Sequence, residues 1–166
     1  MKVVVAAAAI ALLAGCASQP QTKDAAAPVS SAAADTAARK AAADKTSALW
    51  LAKGRLGAVE PAVYFDYDKF NIKPQFHNTV SAFGNYMALD DKARIVIEGN
   101  ADERGTVEYN LALGQKRAEA VSIGLQAIGA SPALIEAISN GEEKPRNKAK
   151  TEAAFAENRR ADLILK

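Results

Sequence analysis

Between Ala17 and Ser47 the only large apolar side chain is Val29; the remainder is rich in alanine and polar residues, with two prolines. Such a stretch cannot bury enough surface to offset the entropy of ordering it. Whatever core the 166-residue chain builds must therefore lie downstream. That leaves about 110 residues, from about Glu60 to Lys166, which is room for one domain. Cys16 is the single cysteine, so no internal disulfide staples that domain and packing must hold it.

Alanine is nevertheless the best helix former, and Asp35 and Arg39 are spaced for an i,i+4 pair. Residues 16–59 are therefore expected to form a mobile tether, with a marginal, fluctuating helix from Ala32 to about Lys53. About thirty such residues span roughly 30 Å as coil and roughly 100 Å when extended.

The N-terminus explains what a tether is for. Lys2 gives a short positive region, Val3 to Ala14 an apolar run, and Ala14-Gly15 a small-residue cleavage site before Cys16. About a dozen apolar residues are too few to cross roughly 30 Å of hydrocarbon. Leu12-Leu13-Ala14-Gly15-Cys16 resembles the lipobox of bacterial lipoproteins, in which the cysteine is acylated and becomes the first mature residue. A plain cleaved signal that leaves a spare thiol is the competing reading. At about 0.8 kcal/mol per buried methylene, two or more acyl chains anchor firmly. Ala17 stands where many Gram-negative lipoproteins kept in the inner membrane carry aspartate, so the resemblance implies the periplasmic face of the outer membrane.

Downstream, hydrophobic periodicity alternates between strand and helix. Val63 to Asp66 reads as a short strand, and Phe76, Val80, Phe83 and Met87 set a helix from about Pro74 to Leu89. Ala93 to Glu98 alternates again. A helix follows from about Val107 to Ile128, with the stripe Leu111, Gly114, Ala118, Val121, Leu125 and Ile128, and Gly129 stops it. Small Gly114 and Ala118 let it lie close to a sheet. Ile135 to Ser139, Thr151 to Glu157 and Arg160 to Leu165 read as strand, short helix and closing strand. The pattern predicts an α/β two-layer sandwich with both long helices on one face of the sheet.

The loop Asn100 to Thr106 joins strand to helix, where α/β proteins usually place ligands. Asp102 falls at the mouth of the long helix. Asn110 and Arg117, seven residues apart, point within about 20° of each other. These three can line a cleft with an acid at one end and a guanidinium at the other, a complement to a zwitterion. On spacing alone, a plain Asp102–Arg117 salt bridge orienting the loop competes with that reading.

Several collinear segments carry a resemblance from Glu60 to Lys166. They are Val63 to Lys69, Glu98 to Thr106, Glu108 to Gln115, Arg117-Ala118, Gly141 to Pro145 and Asn158-Arg159-Arg160. Together they resemble the lipoprotein branch of the OmpA-like C-terminal domain family, which implies a βαβαβ domain with helices on one face of a mixed sheet. The resemblance implies non-covalent binding of peptidoglycan through meso-diaminopimelate of the stem peptide. By that resemblance Asp102 receives the ammonium and Arg117 the carboxylate. Asp68 and Tyr67 close the pocket, and Asn110 and Arg160 support it. Implied partners are the Tol proteins, TolB among them, with a role in envelope integrity and cell division. Two departures stand out: Asn100 where the family usually has histidine, and Asn140 where tyrosine is expected.

Residues 1–15 thus read as a signal peptide, 16–59 as the lipidated N-terminus and tether, and 60–166 as the peptidoglycan-binding domain. A net charge of +2 with both signs interspersed gives no nucleic-acid surface. His77 is the sole histidine, so neither a dedicated metal site nor another cofactor is expected. A peptidoglycan-cleaving enzyme using Asp102 with Glu98 or Asp68 is one alternative, disfavoured for want of a nucleophile–His pair or a metal set. A tether that binds only proteins is the other. Asp102→Ala or Arg117→Ala is expected to cost about 1.5–3 kcal/mol of ligand binding and to leave folding largely unaffected.

Overall fold

The computed structural model describes residues 31–166, with side chains from residue 34. The signal segment 1–15, Cys16 and the tether up to Ser30 lie outside the described residues. Along the chain the elements run α1 (Ser31–Leu56), β1 (Ala62–Tyr64), α2 (His77–Leu89), β2 (Ile95–Asn100), α3 (Val107–Ile128), β3 (Ile135–Gly141), α4 (Glu152–Asn158) and β4 (Arg160–Leu165). Short 3-10 turns, Pro74–Phe76 and Pro132–Leu134, precede α2 and β3. The sheet order is β1-β4-β2-β3. Strand β2 pairs parallel with β3 and antiparallel with β4, and β1 pairs antiparallel with β4. The one parallel pair is the one bridged by a long helix, because a parallel return needs a crossover.

Alternation along β2 sends Ile95 and Ile97 into the core and leaves Val96 and Glu98 half-buried on the other face. Val80, Phe83 and Met87 of α2 meet Ala118, Val121 and Leu125 of α3 over that inner face, with Val63, Phe65 and Leu163 beneath them. Fully burying such side chains stabilises by about 1.5–3 kcal/mol each. Both long helices cover one face, as the periodicity predicts. Leu111 departs from the predicted stripe: it is 49% exposed, and Asn110, Leu113 and Arg117 are buried in its stretch of helix. Here α3 overhangs edge strand β3, so its flank borders a shallow groove with Ala137 and Ile138 instead of the core.

Helix and sheet meet without side chains at one point. A Cβ added to Gly99 would lie 1.9 Å from the carbonyl oxygen of Gly114, and one on Gly114 would lie 2.3 Å from Ser139 Oγ. Only glycines fit, and the contact fixes the distance between the end of β2 and the middle of α3. Thr106 caps α3, its hydroxyl accepting from the Tyr109 amide at 3.2 Å, and Gly129 ends it at φ 116°.

The helix expected from Ala32 to about Lys53 runs as α1 from Ser31 to Leu56, and its last turns join the core. Ala52 is buried, and Leu56 and Val59 are packed against the cluster. Trp50 stays 75% exposed on its outer side.

Candidate functional site

Where the loop after β1, the loop after β2, the first turns of α3 and the start of β4 converge, they enclose a hollow of about 140 Å³. Its lining includes Tyr67 and Asp68 from the first loop, Asp102, Arg104 and Gly105 from the second, Tyr109, Asn110, Leu113 and Arg117 from α3, and Arg159. Each enters for a local reason. Gly105 takes φ 119°, a conformation open mainly to glycine, as the chain turns into α3. Asp68 sits at φ 56°, the single non-glycine residue with positive φ among those described, and its carboxylate accepts from the Tyr109 hydroxyl. Holding a non-glycine residue there costs on the order of 1 kcal/mol and persists only where neighbours enforce it. Asn110, one turn along α3, is buried and donates to Glu142.

The Arg117 guanidinium is fully buried under this hollow. Its Nε donates to the Lys69 carbonyl at 2.9 Å, Nη1 to that of Asn100 at 2.8 Å and Nη2 to that of Asp66 at 3.2 Å. It also lies 5.3 Å from the centre of the Phe65 ring. Burial pushes its pKa down to about 10, against the pull of nearby Asp102. Among the described residues, no carboxylate forms an ion pair with it. Of five N–H groups on a guanidinium, three are spent on backbone, which leaves one on each terminal nitrogen.

Asp102 is the opposite case. Only 4% of its side chain is exposed, and both oxygens are occupied. Oδ1 accepts from the Arg104 amide at 3.1 Å and Nε at 3.2 Å; Oδ2 accepts from Arg104 Nη2 at 2.6 Å and Arg159 Nη1 at 3.2 Å. Burial alone would raise this carboxyl, but the bonds from Arg104 and Arg159 carry it below the usual carboxylate value. Arg159 is itself buried, donating also to the Phe65 carbonyl and Glu152. Asp102 and Arg117 thus share one hollow without bonding to each other.

Five of the predicted site residues, Tyr67, Asp68, Asp102, Asn110 and Arg117, border the hollow. Arg160 does not. Its guanidinium faces the other side of the sheet, on Asp162 and the carbonyls of Asn158 and Lys144. Arg159 takes the place beside Asp102 instead. Strand alternation held that signal: Arg159 shares its parity with core-facing Ala161 and Leu163, whereas Arg160 shares that of Asp162. Periodicity does not reveal Arg104, which a loop conformation brings in, or Tyr109, which lies on the first turn of α3 off its apolar stripe. Glu98 also lies away from the hollow, held by Asn140 and Lys144. Those bonds outweigh its burial and keep its carboxyl below the usual value.

The two departures from the family pattern meet each other. Asn140 Nδ2 donates to Asn100 Oδ1 at 3.2 Å, while Asn100 Nδ2 reaches the Glu98 carbonyl at 2.9 Å and Asp162 at 3.2 Å. Asn100 thereby stays anchored with its carbonyl turned to Arg117. Among the described residues no group of three or more His, Cys, Asp or Glu is placed to hold a metal ion.

Known proteins resemble this chain in sequence and fold. The peptidoglycan-associated lipoprotein of Pasteurella multocida (strain Pm70) is 45% identical over 101 residues, covering 61% of this chain and 67% of that one. The crystal structure of the peptidoglycan-associated lipoprotein from Burkholderia pseudomallei is 46% identical with a TM-score of 0.64, over 64% of this chain and 91% of that chain. The OmpA-like domain of FopA1 from Francisella tularensis, at 20% identity and a TM-score of 0.54 over 63% of this chain and 70% of that one, shares the fold. The shared segment spans 57 to 67% of the length of the first curated relatives. The family described as the OmpA family matches residues 64–159, which take in both loops, α3 and Arg159. More than half of the chain is covered by that match, and the chain belongs to the OmpA family.

Proposed function

We propose that this protein is a non-enzymatic outer-membrane lipoprotein that holds peptidoglycan non-covalently through meso-diaminopimelate of the stem peptide. The observation that carries this reading is the unequal charge in the hollow. Among the described residues Arg117 keeps one free N–H on each terminal nitrogen and has no carboxylate partner, a fork suited to an incoming carboxylate. Asp68 and Asp102 supply the negative charge an ammonium needs, and Asn110 and Tyr67 border the space between. The relatives named peptidoglycan-associated lipoprotein support the same assignment. In this reading Cys16 bears the lipid, residues 16–59 are the lipidated N-terminus and tether, and residues 60–166 grip the wall. TolB and other Tol proteins are the expected protein partners in envelope integrity and division.

Sedimentation of the purified protein with sacculi, competed by free diaminopimelate, tests the grip. Retention that diaminopimelate releases is the expected result, and retention indifferent to it removes the assignment. Release of muropeptides from the same sacculi would instead establish an enzyme. Mass spectrometry of the membrane-extracted protein should find Cys16 acylated.

A further inference from the structure

Asp102 cannot take a new cation in the state described, because its oxygens already accept four bonds, three of them from Arg104. Its two arginine partners are held differently. Arg159 is buried, its side chain 8% exposed, and tied to the Phe65 carbonyl. The Arg104 side chain is 34% exposed and lies against ring faces, 4.1 Å from the centre of Tyr67 and 4.7 Å from that of Phe155. Its Nη1 also reaches exposed Glu152 at 3.1 Å, a second anion whose other oxygen accepts from Arg159 at 2.9 Å. Gly105, with φ 119°, follows it directly.

We propose that Arg104 is a displaceable counter-ion that closes the Asp102 end of the hollow and so selects zwitterions over simple amines. The proposal rests on the diaminopimelate reading above and adds to it a residue that decides selectivity. A lone amine arriving at Asp102 exchanges one cation for another and gains little. A ligand whose carboxylate also engages the fork of Arg117 gains a second set of charge-assisted bonds, enough to move Arg104 onto Glu152. Selectivity of this kind is a difference between two affinities and is set by the competitor built into the site.

Titration calorimetry of the parent, Arg104→Met and Glu152→Gln, each with free diaminopimelate and with cadaverine, tests it. Methionine keeps the stem against Tyr67 and Phe155 but removes the charge. Arg104→Met should bind diaminopimelate roughly three- to thirty-fold tighter, the worth of a partly exposed ion pair to a buried acid. It should also acquire cadaverine binding that the parent lacks. Glu152→Gln should bind diaminopimelate more weakly, since Arg104 loses its second anion. Opposite signs for the two variants exclude general disruption of the loop. Equal or weaker diaminopimelate binding by Arg104→Met overturns the counter-ion role while leaving the wall-binding reading intact. Failure of all three proteins to bind diaminopimelate overturns both.

Discussion

The two ends of the hollow neutralise charge in opposite ways. At the α3 end, Arg117 is buried among backbone carbonyls of Asp66, Lys69 and Asn100. At the loop end, Asp102 is buried among side chains, those of Arg104 and Arg159. Backbone carbonyls belong to the strand and loop that carry them and cannot leave without unfolding local structure. Arginine side chains can rotate away. The arginine end is therefore a fixed element that holds the loop after β1 and the end of β2 to α3, and the acid end is adjustable. A charge expected from sequence to serve only a ligand also serves the fold, because an ionised group is buried only where hydrogen bonds replace its water.

That contrast is tested most severely by Arg117→Ala. It removes the Arg117 donor from the Lys69 and Asn100 carbonyls, leaves the Asp66 carbonyl with the Lys69 amide alone, and opens a cavity, so unfolding in urea should show a loss of about 3–5 kcal/mol. This revises the expectation that the substitution spares folding. An unchanged unfolding midpoint would show that Arg117 serves ligand alone. Gly99→Ala attacks the contact that sets the distance between the two ends. Its Cβ meets backbone and not a flexible side chain, so about 3 kcal/mol or more should be lost in the same assay. Asp102→Asn keeps the shape but leaves Arg159 short of charge, and a cost of about 2 kcal/mol is expected from thermal unfolding.

The pH dependence of that last difference sharpens the point. The Asp102 carboxyl titrates in the folded protein below its ordinary value of 3.8, so its stabilising contribution is complete above that value. It is lost as pH falls through the lower, folded-state value. Urea midpoints of parent and Asp102→Asn should therefore differ at neutral pH and converge on strong acidification; a constant gap would assign the effect to packing. The smallest change in stability belongs to Arg104→Met. With a third of the Arg104 side chain in solvent, the unfolding free energy should stay within about 1 kcal/mol of the parent.

Much of this is legible in the amino-acid sequence. Period-two and period-3.6 patterns placed α3 at Val107–Ile128 and β4 at Arg160–Leu165, and located the loop bearing Asp102. They succeed there because a half-buried element must repeat its apolar residues at its own period. They failed at Leu111, since periodicity reports one face of a helix and not where the sheet beneath it ends. For α1 the alanine content indicates the helix but not its docking, because the sequence has little amphipathic pattern. Its docking depends on Ala52 and Leu56 meeting a surface made elsewhere.

Local sequence thus determined the elements, the loop that carries the acid, and the seven-residue step from Asn110 to Arg117 that places both beside the hollow. Tertiary structure alone decided which charges touch. It brought Arg104 and Arg159 onto the same carboxylate of Asp102, and surrounded Arg117 with carbonyls from residues 17 to 51 positions away. Hydrogen bonds and ion pairs form by distance in space, and the distance between remote segments is fixed only when the core has packed.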